Sequence, residues 1–167
     1  MLSQCTFSAN VRTYYLYDGS DPVVELGSNG VFTAVNTFGA MGLVSRYAAG
    51  DSVFYAFDER GNVAERTNSA GTLLSSDLYD AFGNRTSTAA ATDPWGFGAQ
   101  AGYYTDNETG LLLLTNRYYD PQTGRFLTRD PMGYGGGVNL YSYTGNNPVG
   151  SMRSSVGRCR ICSYDRP

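Results

Sequence analysis

Histidine and lysine are both absent from this chain: among 167 residues the 12 cations are all arginine, against 15 acidic side chains, for a formal charge of -3. Without imidazole there is no Ser-His-Asp or Cys-His nucleophile system, no His general base near neutral pH and no His metal site. Without lysine, Schiff-base chemistry and a phosphate-loop lysine are excluded as well. Charged residues make up only 16% of the chain, where about 25% is usual. The acidic balance also speaks against a nucleic-acid partner, which calls for a basic surface. No apolar run approaches the ~18 to 20 residues of a membrane span; the longest strongly apolar block is Leu111 to Leu114. Three cysteines, Cys5, Cys159 and Cys162, cannot make a disulfide framework. Met1 to Ser8 has no basic region followed by an apolar stretch and is not a secretory signal. The chain then either stays inside the cell or belongs to something longer whose export signal lies elsewhere. Carboxylate, Tyr, Ser and Cys chemistry is what remains for catalysis, and no cofactor is expected.

What is present is glycine and aromatic residues: 21 Gly, 14 Tyr and 8 Phe. Gly at turns with Tyr and Phe between them is the composition of an all-β protein. The length suits a single domain of roughly 100–200 residues.

A short repeat runs through the sequence. Phe57-Asp58-Glu59-Arg60-Gly61-Asn62 and Tyr79-Asp80-Ala81-Phe82-Gly83-Asn84 share aromatic-Asp-x-x-Gly-Asn, 22 residues apart. Tyr17-Asp18-Gly19-Ser20 is a looser copy, and Asn36-Thr37-Phe38-Gly39 matches the second half of the motif. A tighter pair follows at a spacing of 14, Asp106 to Gly110 and Asp120 to Gly124, the latter preceded by Tyr119. The physics of the unit is readable: an aromatic residue ends a strand, Asp accepts hydrogen bonds from the backbone N–H groups after it, and Gly takes the positive φ that closes the turn. Asp51–Phe57, Gly71–Tyr79 and Gly124–Thr128 have the content and length of strands, and Asn68-Ser69-Ala70-Gly71 reads as a turn. The prediction is a hairpin every 20 or so residues, with no helix. Each aromatic-Asp pair is expected to be turn architecture, and the charges are expected mainly at turns and in one Arg-Asp motif.

The most distinctive block begins at Arg117-Tyr118-Tyr119-Asp120-Pro121-Gln122-Thr123-Gly124-Arg125-Phe126-Leu127-Thr128-Arg129-Asp130-Pro131-Met132-Gly133. It continues through Gly135-Gly136-Gly137-Val138-Asn139-Leu140-Tyr141 and Tyr143 to Gly145-Asn146-Asn147-Pro148. Over this block the sequence resembles the repeat-associated core of Rhs proteins, the Tyr-Asp-repeat family of bacterial toxins and cell-surface proteins. The likeness extends over about residues 14 to 149. It implies a lead-in over 1–13, Tyr-Asp repeats over 14–102, the core over 103–149 and a divergent tail over 150–167.

What the resemblance implies is a β-ribbon spiralling into a hollow shell around a variable toxin or effector polypeptide, secreted or at the cell surface. Members are far longer than this chain, so a fragment of a shell is the expectation, with exposed sheet edges where neighbouring repeats would stack. In several relatives an Arg-Asp-Pro at the position of Arg129-Asp130-Pro131 resembles half of an aspartic-protease dyad that cuts the chain after the core. A dyad needs two carboxylates sharing a proton, and between Asp130 and Asp165 there is no acidic residue. The alternative at this position is an Arg-Asp pair and a turn before Pro131.

Residues 151–167 hold four Arg and one Asp, a local +3, whereas residues 1–150 hold 8 Arg and 14 acids, or -6. The tail has no strand pattern and is expected to be disordered. Its Cys159-Arg160-Ile161-Cys162 is the shape of half a zinc knuckle or a redox pair, a weak metal signal with only Cys5 left to help. Gly135-Gly136-Gly137 lacks the Lys and Ser/Thr of a phosphate loop and reads as a turn. Asp93 to Gly98, with the single tryptophan Trp95, is expected to be a packed aromatic corner, the other option being a platform for sugar rings. Function therefore divides between a non-enzymatic shell scaffold for a toxin or effector, a self-cleaving protease centred on Asp130, and a carbohydrate-binding module.

Overall fold

The computed structural model describes residues 2–6, 12–19, 21–87, 93–114 and 117–149, the first group and Arg12 as backbone only. Cys159, Cys162 and the tail expected to be disordered lie outside these residues. Two antiparallel sheets account for the fold, and no α-helix occurs among the described residues. The first is a meander of eight strands in chain order: β1 (Leu2–Thr6), β2 (Arg12–Asp18), β3 (Asp21–Leu26), β4 (Phe32–Gly39), β5 (Gly42–Ala48), β6 (Asp51–Phe57), β7 (Val63–Asn68) and β8 (Leu73–Ser76). The second has four short strands in the order β12-β11-β10-β9: β9 (Tyr104–Thr105), β10 (Leu112–Leu114), β11 (Arg117–Asp120) and β12 (Arg125–Phe126).

Repeat turns close the hairpins as the motif predicts. After β6, Asp58 Oδ1 accepts the N–H groups of Arg60 and Asn62 at 2.8 and 2.9 Å, and Asn62 Nδ2 donates to Oδ2 at 2.8 Å. Asp80 does the same with Phe82 and Asn84. Gly61 and Gly83 sit at φ +76° and +95°, a conformation open to glycine and strained for a residue with a Cβ. Asp120 accepts from Gln122 N–H and the Thr123 hydroxyl, and Gly124 N–H returns to the Asp120 carbonyl at 2.9 Å. Asn68 makes the same turn with an amide oxygen, accepting from Ala70 and Thr72. The looser copy at Tyr17-Asp18 is a tight connection in which Asp18 pairs with Asp21.

Some elements differ from expectation. The strand expected over Gly71–Tyr79 is held to Leu73–Ser76, because the Asn68 turn occupies one end and Asp77 turns inward at the other. The strand expected over Gly124–Thr128 is held to Arg125 and Phe126, with Leu127 N–H still donating to Tyr118 O. Asn36 to Gly39 is no turn but the second half of β4, since the Asn36 amide is bonded inside the sheet.

Two apolar clusters lie where the sheets meet. Leu43, Val63, Trp95 and Ala99 form one, with Phe38, Tyr55, Phe57 and Tyr104 against it. Phe97, Leu112, Leu114, Tyr119, Phe126 and Tyr143 form the other. The segment Asp93 to Gly102 joins them, stapled to the β6–β7 hairpin by Val63 N–H to Gly96 O, Gln100 N–H to Gly61 O and Gly98 N–H to Asn62 Oδ1. The Asp93–Gly98 segment is thus a packed corner: Trp95 is fully buried, edge-on to Phe38 and Tyr104 with ring centroids 5.8 Å away in each case. The opposite face of the large sheet is open. Register places Val35 opposite Tyr47, Ser45 opposite Phe54, and Thr67 opposite both Phe54 and Leu73, and Val35, Tyr47, Phe54 and Leu73 are exposed.

Candidate functional site

Asp130 is positioned by the small sheet. Its backbone N–H donates to Leu140 O and its carbonyl accepts from Gly133 N–H, each at 2.9 Å, so the chain turns back on itself across Pro131. Oδ1 accepts Met132 N–H at 2.9 Å, and Oδ2 lies 3.1 Å from Nη1 of Arg117 on β11. The Arg117 guanidinium in turn sits over the Phe126 ring, 3.6 Å from its centroid. The Arg-Asp pair therefore exists with a different arginine than the neighbouring one. Arg129 instead donates through Nε to the Tyr141 hydroxyl at 3.2 Å. Among the described residues, the Asp130 carboxylate is ion-paired with Arg117 and accepts the Met132 N–H, with no second carboxylate beside it.

Besides the charges at turns, a smaller set, Glu25, Arg66, Asp77 and Asp93, is buried. Arg66, on β7 and almost fully buried, binds Asp93 Oδ2 through Nε at 3.1 Å, Asp77 and Ser75 through Nη1, and the Trp95 carbonyl through Nη2. Asp77 also takes Arg85 and the Ser87 hydroxyl, and Asp93 takes Tyr55. A second cluster pairs Arg46 with Glu25, and Asn36 bridges it to the Trp95 indole N–H at 3.1 Å. Each buried charge has a partner, as burial demands. Sequence reasoning missed Glu25, Arg46, Arg66, Asp77, Arg85 and Asp93. The available signal was Arg46 and Arg66 placed mid-strand, away from any turn.

Electrostatics of these clusters follow from burial and pairing. Burial disfavours the charge on Arg66 and Arg46, but their carboxylate partners outweigh it and hold both guanidinium pKa values above the ordinary one. Burial alone would raise Asp77, yet its bonds to Arg85, Arg66 and Ser87 pull the carboxyl below its usual value. Asp80 is likewise lowered, by its turn bonds to Asn84 and Phe82 against a smaller burial effect than those bonds combined. Burial pushes the Tyr55 and Tyr119 hydroxyls up, so neither ionises near neutral pH. A depressed carboxyl adds stability that is present above its unfolded value of about 3.9 and is lost as pH falls through the folded value. With no histidine in the chain, the urea midpoint is expected to be flat between pH about 5.5 and 7 and to fall below about 4. A midpoint that moved steadily across the neutral interval would contradict this assignment of the charges.

A cleft of about 280 Å³ has a wall that includes Tyr79, Arg85, Asp93, Thr105, Asn107 and Gln122. Arg85 and Asp93 are already engaged in the cluster, so the remaining polar side chains of this largely apolar cleft are amides and hydroxyls. No group of three or more His, Cys, Asp or Glu side chains converges on a metal site among the described residues. No helix among them is long and apolar enough to cross a membrane.

This geometry of stacked Asx-turn hairpins closed by an aromatic corner has counterparts. Residues 39–149 match the family model described as "Teneurin YD-shell". The chain belongs to the YD-shell family. It is 37% identical over 154 residues to the tRNA3(Ser)-specific nuclease WapA of Bacillus spizizenii, covering 87% of this chain and 7% of that protein. The double-stranded DNA deaminase toxin A of Burkholderia cenocepacia is 46% identical over 99 residues, 56% of this chain and 7% of the toxin. Among solved structures, TcdB2-TccC3 without its hypervariable C-terminal region superposes with a TM-score of 0.68 at 23% identity, over 92% of this chain and 8% of that one. The last likeness shows that the all-β YD-shell fold is shared. This YD-shell chain spans less than a tenth of the length of each of these three relatives.

Proposed function

We propose that the chain is a non-enzymatic wall segment of an Rhs-type shell that encloses or presents a secreted toxin or effector polypeptide. The observation that carries this reading is the eight-strand meander that ends in edge strands β1 and β8 and leaves one broad face uncovered. Supporting it, the chain matches a small part of relatives named as a nuclease and a deaminase toxin. Repeats over 14–102 form the wall, the core over 103–149 closes it, and the motif residues Tyr17, Asp18, Phe57, Asp58, Gly61, Tyr79, Asp80, Gly83, Tyr119, Asp120 and Gly124 fix the hairpins rather than take part in chemistry. The reading gives Arg129 and Asp130 a turn-stabilising role, because among the described residues no second carboxylate meets Asp130. Surface carbohydrate is left Tyr47 and Phe54 on the open face as a platform, because Trp95 is buried.

The test is protection. The protein is isolated from its source cells by an antibody to residues 51–87, treated with trypsin and then denatured and sequenced by mass spectrometry. The expected result is a polypeptide without Tyr-Asp repeats that survives trypsin until the shell is unfolded. Isolation of this chain alone, with nothing protected, would overturn the reading.

A further inference from the structure

Trp95 is the only tryptophan, it has no exposed surface, and a line of three tyrosines leads outwards from it. Its ring centroid lies 5.8 Å from that of Tyr104 on β9, which in turn lies 5.4 Å from that of Tyr15 on β2. The hydroxyls of Tyr104 and Tyr15 are 2.5 Å apart, at the short end of O–H···O contacts. Tyr15 is 7% exposed, and its ring is 6.4 Å from that of Tyr17, a half-buried residue near the end of the same strand. Edge-to-face packing needs only rings. Here every ring in the line after Trp95 is a phenol, and two of them meet through their hydroxyls.

Indole and phenol give up one electron more readily than any other aromatic side chain. An indole radical cation at Trp95 is a buried charge without a counter-ion. Its N–H donates to the Asn36 amide oxygen, which is no base near neutral pH, and the Glu25 carboxylate close by is held by Arg46. The oxidised indole therefore keeps its proton and its charge. Burial penalises that charge, which draws an electron in from Tyr104.

We propose that Trp95, Tyr104, Tyr15 and Tyr17 form a radical relay that carries an oxidising equivalent from the sheet junction to the surface. A one-electron oxidant takes an electron from Trp95. Tyr104 gives an electron to the indole, which returns to its neutral form with its N–H intact, and the phenolic proton of half-buried Tyr104 goes to water. The hydroxyl hydrogen atom of Tyr15 then crosses between the two oxygens: the O–H bond breaks on Tyr15 and forms on Tyr104, leaving the radical on Tyr15. Tyr17 supplies the next electron, with one proton lost to water at Tyr17 and one regained at Tyr15. The balance is one electron to the oxidant and one proton to water. The inference goes beyond the shell reading and does not depend on it.

The competing ring is Tyr55, which packs against the Trp95 cluster and donates its hydroxyl to Asp93. Arg66 already neutralises that carboxylate, which leaves it a poor proton acceptor. The ring beside Tyr55 is Phe57, where a radical cannot continue.

The full chain is illuminated at the red edge of the indole band, where tyrosine does not absorb, with a cobalt hexaammine salt present to capture the ejected electron. Electron paramagnetic resonance of the frozen sample then identifies the radical, and peptide mapping after thawing locates stable oxidation. The parent is expected to show a tyrosyl radical and oxidation at Tyr17. Tyr104→Phe is expected to lose the tyrosyl signal and hold the radical on the indole. Tyr15→Phe should keep a tyrosyl signal and lose oxidation at Tyr17, while Tyr55→Phe matches the parent. Each variant keeps its ring and loses one hydroxyl, and circular dichroism checks that it is folded. An indolyl radical in the parent, a tyrosyl signal that survives Tyr104→Phe or is lost in Tyr55→Phe, or oxidation at Tyr17 that survives Tyr15→Phe would each overturn the proposal.

Discussion

Replacing Arg66 by methionine is expected to lower the unfolding free energy by about 3–5 kcal/mol, the cost of leaving buried charges without their partner. Met keeps much of the length and removes the guanidinium. Asp77 and Asp93, both buried, then lose their shared cation, and the Trp95 carbonyl loses its donor. Arg85 and Ser87 still reach Asp77, and Tyr55 still reaches Asp93, which keeps the loss from growing further. For a domain of this size the melting temperature should fall by roughly 10 °C. Arg66→Lys restores the charge but not the three directions in which one planar guanidinium donates, so it recovers only part of the loss. The control is Arg125→Met, an exposed position on β12, where a change within about 0.5 kcal/mol is expected. Urea titrations of the three variants measure this. Equal midpoints for Arg66→Met and Arg125→Met would remove the interior cluster from any account of what joins β7 to the corner.

Trp95→Ala should cost about as much, roughly 3–5 kcal/mol, through a cavity at the centre of the sheet junction. The side chain has no exposed surface, and its rings contact Phe38 from β4 and Tyr104 from β9. Its indole N–H is also bonded to Asn36, which couples it to the Glu25–Arg46 pair. Trp95→Phe separates the two contributions: most apolar volume is kept and about 1 kcal/mol is lost with the hydrogen bond. Because Trp95 is the only tryptophan, unfolding must be followed by circular dichroism rather than by fluorescence. The signature expected of Trp95→Ala is loss of near-ultraviolet aromatic signal at little cost in strand signal, as the hairpins outlive the junction. A variant as stable as the parent would show that the corner rests on backbone bonds alone.

The turns were legible in the sequence, and the interior was not. Asp58, Asp80 and Asp120 make their bonds to groups within four residues along the chain, so residue type and spacing suffice to place them. The packed corner at Asp93 to Gly98 was also readable, from Trp95 and Phe97 alternating with Gly96 and Gly98. Which face of the large sheet is covered was not. Ala34, Asn36 and Phe38 alternate with Thr33, Val35 and Thr37 along β4, and both sets mix polar with apolar residues. The covered set includes the buried Asn36, while Val35 is exposed. Period-two patterning identifies two faces but cannot rank them when neither is uniformly apolar. The polar inner face is tolerated because its charges find one another across strands, a matter of register and not of local spacing.

By itself the sequence determined the all-β class, the turns at Asp58, Asn68, Asp80 and Asp120, the family resemblance that the known relatives bear out, and a titration range without imidazole. Those properties depend on composition or on contacts a few residues long. The tertiary structure decided which arginine meets Asp130, namely Arg117 from β11 and not the adjacent Arg129. It also decided that Arg66 gathers Asp77, Asp93 and the Trp95 carbonyl into one buried cluster. Each of these depends on which strands pair and which face is covered, and pairing across tens of residues is fixed by packing of the whole chain rather than by any short segment of it.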